Sequence, residues 1–168
     1  MNHPIIKIVV KNYGTMTAEL YPEMAPLTVA NFVKLAKENF FEGLIFHRVI
    51  RGFMLQGGGY NEAMEEKHTA AIRGEFAANG FKQNTLKHTK GVLSMARTSD
   101  PNSASSQFFV MHEPAPYLDG QYAAFGKVTD GEDIIDRIAN VKTGNYGWYM
   151  QDVPMEAVVI EKIEVVSE

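Results

Sequence analysis

The chain has 168 residues, 45% of them hydrophobic and 21% charged, with a formal net charge of −4 and no cysteine. One domain over residues 1–168, with a real core and the composition of an ordinary soluble protein, follows from those values. They exclude disulfides, a cysteine nucleophile and thiolate metal sites, and the acidic balance without a Lys/Arg run argues against nucleic acid and anionic membrane surfaces.

The first elements are plain. Ile6, Ile8 and Val10 alternate with Lys7, Val9 and Lys11, a strand with one strongly apolar face. Asn12-Tyr13-Gly14 turns the chain, and residues 15–21 form the returning strand of a hairpin. Pro22 and Pro26 end it. Val29, Phe32, Val33 and Ala36 then recur at helical spacing, Phe40 extends the row, and Gly43 lies beyond its end. Residues 46–58, FHRVIRGFMLQGG, hold two strand-like runs, 44–50 and 53–56, joined at Arg51-Gly52.

Residues 60–90 read as a long irregular loop, of the functional or packed kind. Short strands follow at 91–96 (GVLSMA), 106–111 (SQFFVM) and 123–129 (AAFGKVT), separated by the turn cluster 97–105 and by Pro114, Pro116 and Asp119-Gly120. Ile134, Ile135, Ile138 and Val141 mark a second helix, with Asp130 as its cap and Glu132 and Asp133 in its first turn. Residues 142–155, with the single tryptophan Trp148, read as loop. In the last strand the apolar parity changes between Ile160 and Ile163, which predicts a bulge at Glu161-Lys162. Seven or eight strands and two helices without βαβ alternation favour an antiparallel sheet or barrel with helices packed on it.

Several chemistries lack their residues. The five histidines, His3, His47, His68, His88 and His112, show no metal-ligand spacing. Gly57-Gly58-Gly59 belongs to no phosphate-binding motif and reads as room for a sharp backbone turn. Ser103, Ser105 and Ser106 lie in no G-x-S-x-G elbow. What remains is a binding surface. Period-2 geometry puts Met54 and Gln56 on one strand face and Gln107 and Phe109 on another, with Arg48 on a neighbouring strand. Two readings stay open. Either Arg48 reaches solvent or an acid while Met54 and Phe109 are core, or these side chains line a groove for a neutral polar ligand.

FHRVIRGFMLQGG, GVLSMA, SQFFVM and YLDGQYAAFGKV occur in that order, and on them the whole chain resembles the cyclophilin family of peptidyl-prolyl cis/trans isomerases. The resemblance implies a mainly β fold, a closed eight-stranded antiparallel β-barrel capped by two α-helices. It implies Arg48 and Gln56 as catalytic residues and Phe53, Met54 and Phe109 as the proline pocket. Ala96, the backbone of Arg97, and Gln107 would hold the substrate chain, with Tyr117, Leu118 and Tyr122 on the rim. Tyr117, Tyr122 and Arg97 stand where the eukaryotic pattern has tryptophan, histidine and asparagine, and these choices resemble those of bacterial cytoplasmic members. The expected partners are proline-containing peptides and folding proteins, and cyclosporin weakly because Tyr117 has no indole N–H. No cofactor, metal, nucleic acid or membrane is expected; the chain is expected to be a monomer. The N-terminal stretch MNHPIIKIVVKNYG lacks a secretory pattern, so a cytoplasmic location is expected. A proline-directed binding module with little turnover is the alternative.

Overall fold

The computed structural model describes residues 2–168. Strands β1 (Ile5–Val10) and β2 (Gly14–Leu20) form the expected hairpin, with Asn12 at φ 70° in its turn. Helix α1 (Pro26–Lys37) follows, then β3 (Arg48–Ile50), β4 (Met54–Gly57), β5 (Val92–Met95), β6 (Phe108–Met111) and β7 (Ala124–Asp130). Helix α2 (Glu132–Ala139), strands β8 (Thr143–Tyr146) and β9 (Met150–Pro154), and β10 (Ile160–Ser167) complete the chain. Eight strands form one antiparallel sheet in the order β10-β1-β2-β7-β5-β6-β4-β3, and β8 and β9 form a separate ribbon.

The fold is mainly β with two helices, but the expected closed barrel is not what forms. The sheet curls into a half-barrel whose terminal strands, β10 and β3, share no ladder. Only residues 43–46, ahead of β3, reach the start of β10: Phe46 N–H donates to the Val158 carbonyl at 3.0 Å and Ile160 N–H to that of Leu44 at 2.7 Å. Residues 44–47 therefore do not belong to β3. Leu44 and Ile45 make single bridges to Asn61 and Val159, two different segments, so no continuous strand builds there. The curl has a local source in β10. Val9 faces Lys162 and Val10 faces Ile160, so Glu161 is passed over and the bulge lies where the parity change predicts it.

Both helices bury the predicted stripes: Val29, Phe32, Val33 and Ala36 in α1, and Ile134, Ile135 and Ile138 in α2. Their ends differ from expectation. α1 stops at Lys37 because Asn39 adopts a left-handed φ of 57°. Asn39 N–H then donates to Ala36 O at 3.1 Å and Phe40 N–H to Leu35 O at 3.0 Å, a Schellman closure that tucks Phe40 into the core. α2 is capped by Gly131 at φ 93°, not by Asp130, which stays in β7. The core is organised around Phe32, whose ring lies 5.0 Å from Phe41, 5.3 Å from Phe108 and 5.2 Å from Phe125.

The two stretches read as loops are more structured. Residues 60–90 carry a 3-10 turn at Ala77–Asn79 and a buried carboxylate, Glu75. Glu75 accepts hydrogen bonds from the Leu27 N–H at 3.1 Å and from the Thr28 N–H and hydroxyl at 2.7 and 2.8 Å. It thereby supplies the cap that Ala25, the residue before α1, has no side chain to make. Residues 142–155 contain the β8–β9 ribbon, whose turn leaves Trp148 and Tyr149 exposed. Among the described residues, no helix is long and apolar enough to cross a membrane.

Candidate active site

The site lies where β3, β4 and β6 run side by side. The ladders set Arg48 opposite Gln56 and Gln56 opposite Phe109, while Met54 faces both Ile50 and Met111. Alternation sends Leu55, Phe108 and Val110 into the main core. It sends Met54, Phe109 and Met111 into a second, smaller cluster with Val92, Ala115, Leu118 and Ala124. Met54, Phe109 and Leu118 of that cluster form the floor of an open depression of about 470 Å³. Phe53, Met54, Phe109, Leu118 and Ala96 supply its apolar wall; Arg48, Gln56, Arg97 and Tyr122 supply its polar edge.

The two arginines at this edge are in different states. The Arg97 guanidinium donates to the Gln121 carbonyl at 2.7 Å and to that of Thr98 at 2.9 Å. It also lies over the rings of Phe76 and Tyr122, at 4.8 and 4.6 Å. Those contacts use Arg97 to hold the rim together. Arg48 is exposed, and no carboxylate among the described residues pairs with it. Its one side-chain partner is neutral: Nη1 donates to Gln56 Oε1 at 3.3 Å. Gln56 Nε2 in turn donates to Gln107 Oε1 at 2.9 Å, which fixes which end of the Gln56 amide faces the arginine. Arg48 thus reaches solvent without an acid partner, at the edge of the depression that the buried Met54 and Phe109 help to line.

Beneath the floor, the Phe109 ring stacks on His88 at 6.0 Å and meets Tyr122 edge-on at 5.8 Å. His88 is buried between Asp119, 3.0 Å from Nδ1, and the Ser94 hydroxyl, 2.8 Å from Nε2. Burial lowers the His88 pKa, and Asp119 opposes that shift. Beside Arg48, His47 is buried with no partner for Nδ1. Burial, then the Arg48 charge, lowers its pKa to about 4.

The pocket brings together nine of the residues that the motifs singled out: Arg48, Phe53, Met54, Gln56, Ala96, Arg97, Phe109, Leu118 and Tyr122. Gln107 lines an adjoining depression with Gln56, Glu66, Thr98 and Ser103. Tyr117 is 70% exposed and stands outside the lining, its ring 6.1 Å from Phe53. The glycine run is a matter of space: a Cβ on Gly59 would lie 2.4 Å from Gln107 Cγ. Sequence reasoning missed His88, Ser94 and Asp119, the support under Phe109. Their meeting, with His88 and Ser94 buried and Asp119 partly so, arises from long-range packing, which no local spacing announces.

Residues 5–165 match the family model described as cyclophilin type peptidyl-prolyl cis-trans isomerase/CLD. The chain is 46% identical over 161 residues to a peptidyl-prolyl cis-trans isomerase of Acinetobacter baylyi, covering 93% of this chain and 82% of that protein. It is 41% identical over 162 residues to peptidyl-prolyl cis-trans isomerase B of Escherichia coli, covering 92% and 95%. The crystal structure of a Cryptosporidium parvum cyclophilin type peptidyl-prolyl cis-trans isomerase matches with TM-score 0.79 at 27% identity, covering 99% of both chains. That protein in the presence of the dipeptide Ala-Pro matches at 0.77 and 28%, covering 98% of this chain and 99% of that one. The chain belongs to the cyclophilin-type peptidyl-prolyl cis-trans isomerases.

Proposed function

We propose that this isomerase accelerates rotation about Xaa–Pro bonds with Arg48 as its catalytic residue and with Phe53, Met54 and Phe109 as the proline pocket. The observation that carries this reading is the unpaired Arg48 cation at the edge of an apolar depression, held by one neutral partner.

The chemistry asks for little more. An X–Pro amide resists rotation because the nitrogen lone pair is delocalised into the carbonyl; for peptide bonds the barrier is about 18–20 kcal/mol. Rotation makes and breaks no covalent bond. Catalysis is then tighter binding of the twisted amide than of either planar form. In the twisted state the proline nitrogen regains a localised lone pair, and the Arg48 guanidinium can donate a hydrogen bond to it or to a neighbouring carbonyl. The apolar wall seats the ring and excludes water, which strengthens that donation. Gln56 orients Arg48 through its Oε1 and is itself held by Gln107. Ala96, the Arg97 backbone, Leu118 and Tyr122 border the substrate chain, and Tyr117 stands as an outer contact beside Phe53.

The test is Arg48→Ala in a proline-peptide exchange assay, where kcat/KM should fall at least tenfold, a loss of about 1.4 kcal/mol or more of transition-state stabilisation. Wild-type exchange rates in that variant would remove Arg48 from the mechanism. Arg48→Lys should be nearly as impaired if the fork of donors matters.

The partners we assign are proline-containing segments of folding proteins, met in the cytoplasm by a monomeric single domain. The net charge of −4 supports a reading without nucleic acid or anionic membrane among them. Cyclosporin binding should be weak, since Tyr117 offers no indole N–H and stands outside the pocket lining. Titration with cyclosporin, sedimentation and cell fractionation test these assignments in turn.

A further inference from the structure

The Phe53 wall of the pocket follows a tight turn, and that turn is held from outside by one side chain. Phe53 N–H donates to the Ile50 carbonyl at 2.9 Å, and Gly52 sits at φ 81°, as a glycine in the third position of such a turn can. His112, directly after β6 and only 9% exposed, grips the turn on both sides of Phe53. Its ring Nδ1 accepts a hydrogen bond from the Gly52 N–H at 2.8 Å. Its own backbone N–H donates to the Phe53 carbonyl at 2.9 Å.

The first of these bonds defines the state of the ring. An Nδ1 that accepts from an N–H carries no proton, so the proton of the neutral ring is on Nε2. Nε2 lies 3.2 Å from Asp136 Oδ1 on α2. The same carboxylate oxygen receives Lys90 Nζ at 2.6 Å. The ring thus meets Asp136 from α2, a carboxylate it shares with Lys90 from the segment before β5; Glu132 and Glu113 act on Lys90 from the surrounding surface. A second proton on the ring would go to Nδ1 and set two donors, Nδ1–H and Gly52 N–H, against each other. The bond would be lost, and the turn or the ring would have to move.

We propose that His112 is a positioning residue of the isomerase. In its neutral Nε2–H form it holds the Gly52–Phe53 turn and so sets the Phe53 wall of the pocket, and protonation releases that hold. The inference rests on the reading of this pocket as the proline site.

The experiment compares wild type, His112→Asn, His112→Ala and Phe53→Ala, measuring kcat and KM on a short Xaa-Pro peptide from about pH 8 to about pH 5. Asparagine offers Oδ1 near the place of Nδ1 and has no proton to gain. In the wild type KM should rise about threefold or more on acidification with a smaller change in kcat, the signature of lost substrate binding. His112→Asn should keep the neutral-pH KM and lose the acid-side rise, whereas His112→Ala should show a raised KM throughout. The Gly52 amide resonance of the wild type should move with the same midpoint as KM and stay still in His112→Asn, a readout that survives if the alanine variant does not fold. A His112→Asn profile identical to wild type, or a Gly52 amide indifferent to pH, would overturn the proposal. Phe53→Ala separates the two levels. If it raises KM while the His112 variants do not, the pocket stands and the positioning role falls; an unchanged KM in Phe53→Ala sinks the pocket reading itself.

Discussion

Strands β4 and β6 alternate residue by residue between two interiors. Leu55, Phe108 and Val110 point into the main core, which both helices and most of the sheet enclose. Met54, Phe109 and Met111 point the other way, into a small cluster with an open end bordered by Gln56 and Arg48. The same backbone therefore carries a sealed face and an open face. On the sealed face every side chain is surrounded by others, and loss of volume leaves a cavity. On the open face the packing stops at the pocket, so a ring such as Phe109 is held below by His88 and borders the depression above.

The largest test of that contrast is Phe108→Ala against Phe109→Ala. Phe108 touches Phe32, Phe41 and Phe46, and its truncation should cost about 3–5 kcal/mol in denaturant unfolding. Phe109→Ala should cost less than half as much yet reduce kcat/KM more than tenfold, a loss above about 1.4 kcal/mol of transition-state stabilisation. Equal destabilisation by the two substitutions would erase the distinction between the faces.

A second test stays on the sealed side. Glu75→Ala strands the Leu27 and Thr28 N–H groups at the start of α1 and should destabilise the fold by about 1–3 kcal/mol. Thermal unfolding indistinguishable from wild type would mean that the helix finds another cap.

His47 lies on the border, between core Phe46 and exposed Arg48. Its folded pKa, about 4, is below the ordinary histidine value of 6.5. Between those values the unfolded chain binds the proton and the folded chain does not. Stability is thus fully present above about pH 6.5 and declines as pH falls toward 4, by at most about 1.4 kcal/mol per pH unit. His47→Gln should flatten that slope, and an unchanged slope would assign the acid sensitivity to another group.

Trp148 belongs to neither face. It is 94% exposed on the β8–β9 ribbon, and Trp148→Ser should shift unfolding by less than about 0.5 kcal/mol. A larger loss would show that the ribbon packs more firmly than its exposure implies.

Much of this molecule is legible locally. The first hairpin, the apolar stripes of both helices and the β10 bulge all follow from the spacing of Ile6, Phe32, Ile135 and Ile163, because period and parity are properties of neighbouring residues. The motifs likewise named the pocket, since Arg48, Phe53, Met54 and Gln56 lie within one short stretch. The ribbon over 143–154 escaped because neither strand has a buried face to impose alternation. Only the tertiary structure decided that the sheet curls without closing, that Glu75 caps a helix far away in sequence, and that His112 grips the turn ahead of Phe53. The reason is common to all three: each depends on which distant group meets a backbone N–H or carbonyl, and a one-dimensional pattern records a residue's neighbours along the chain but not its partners across it.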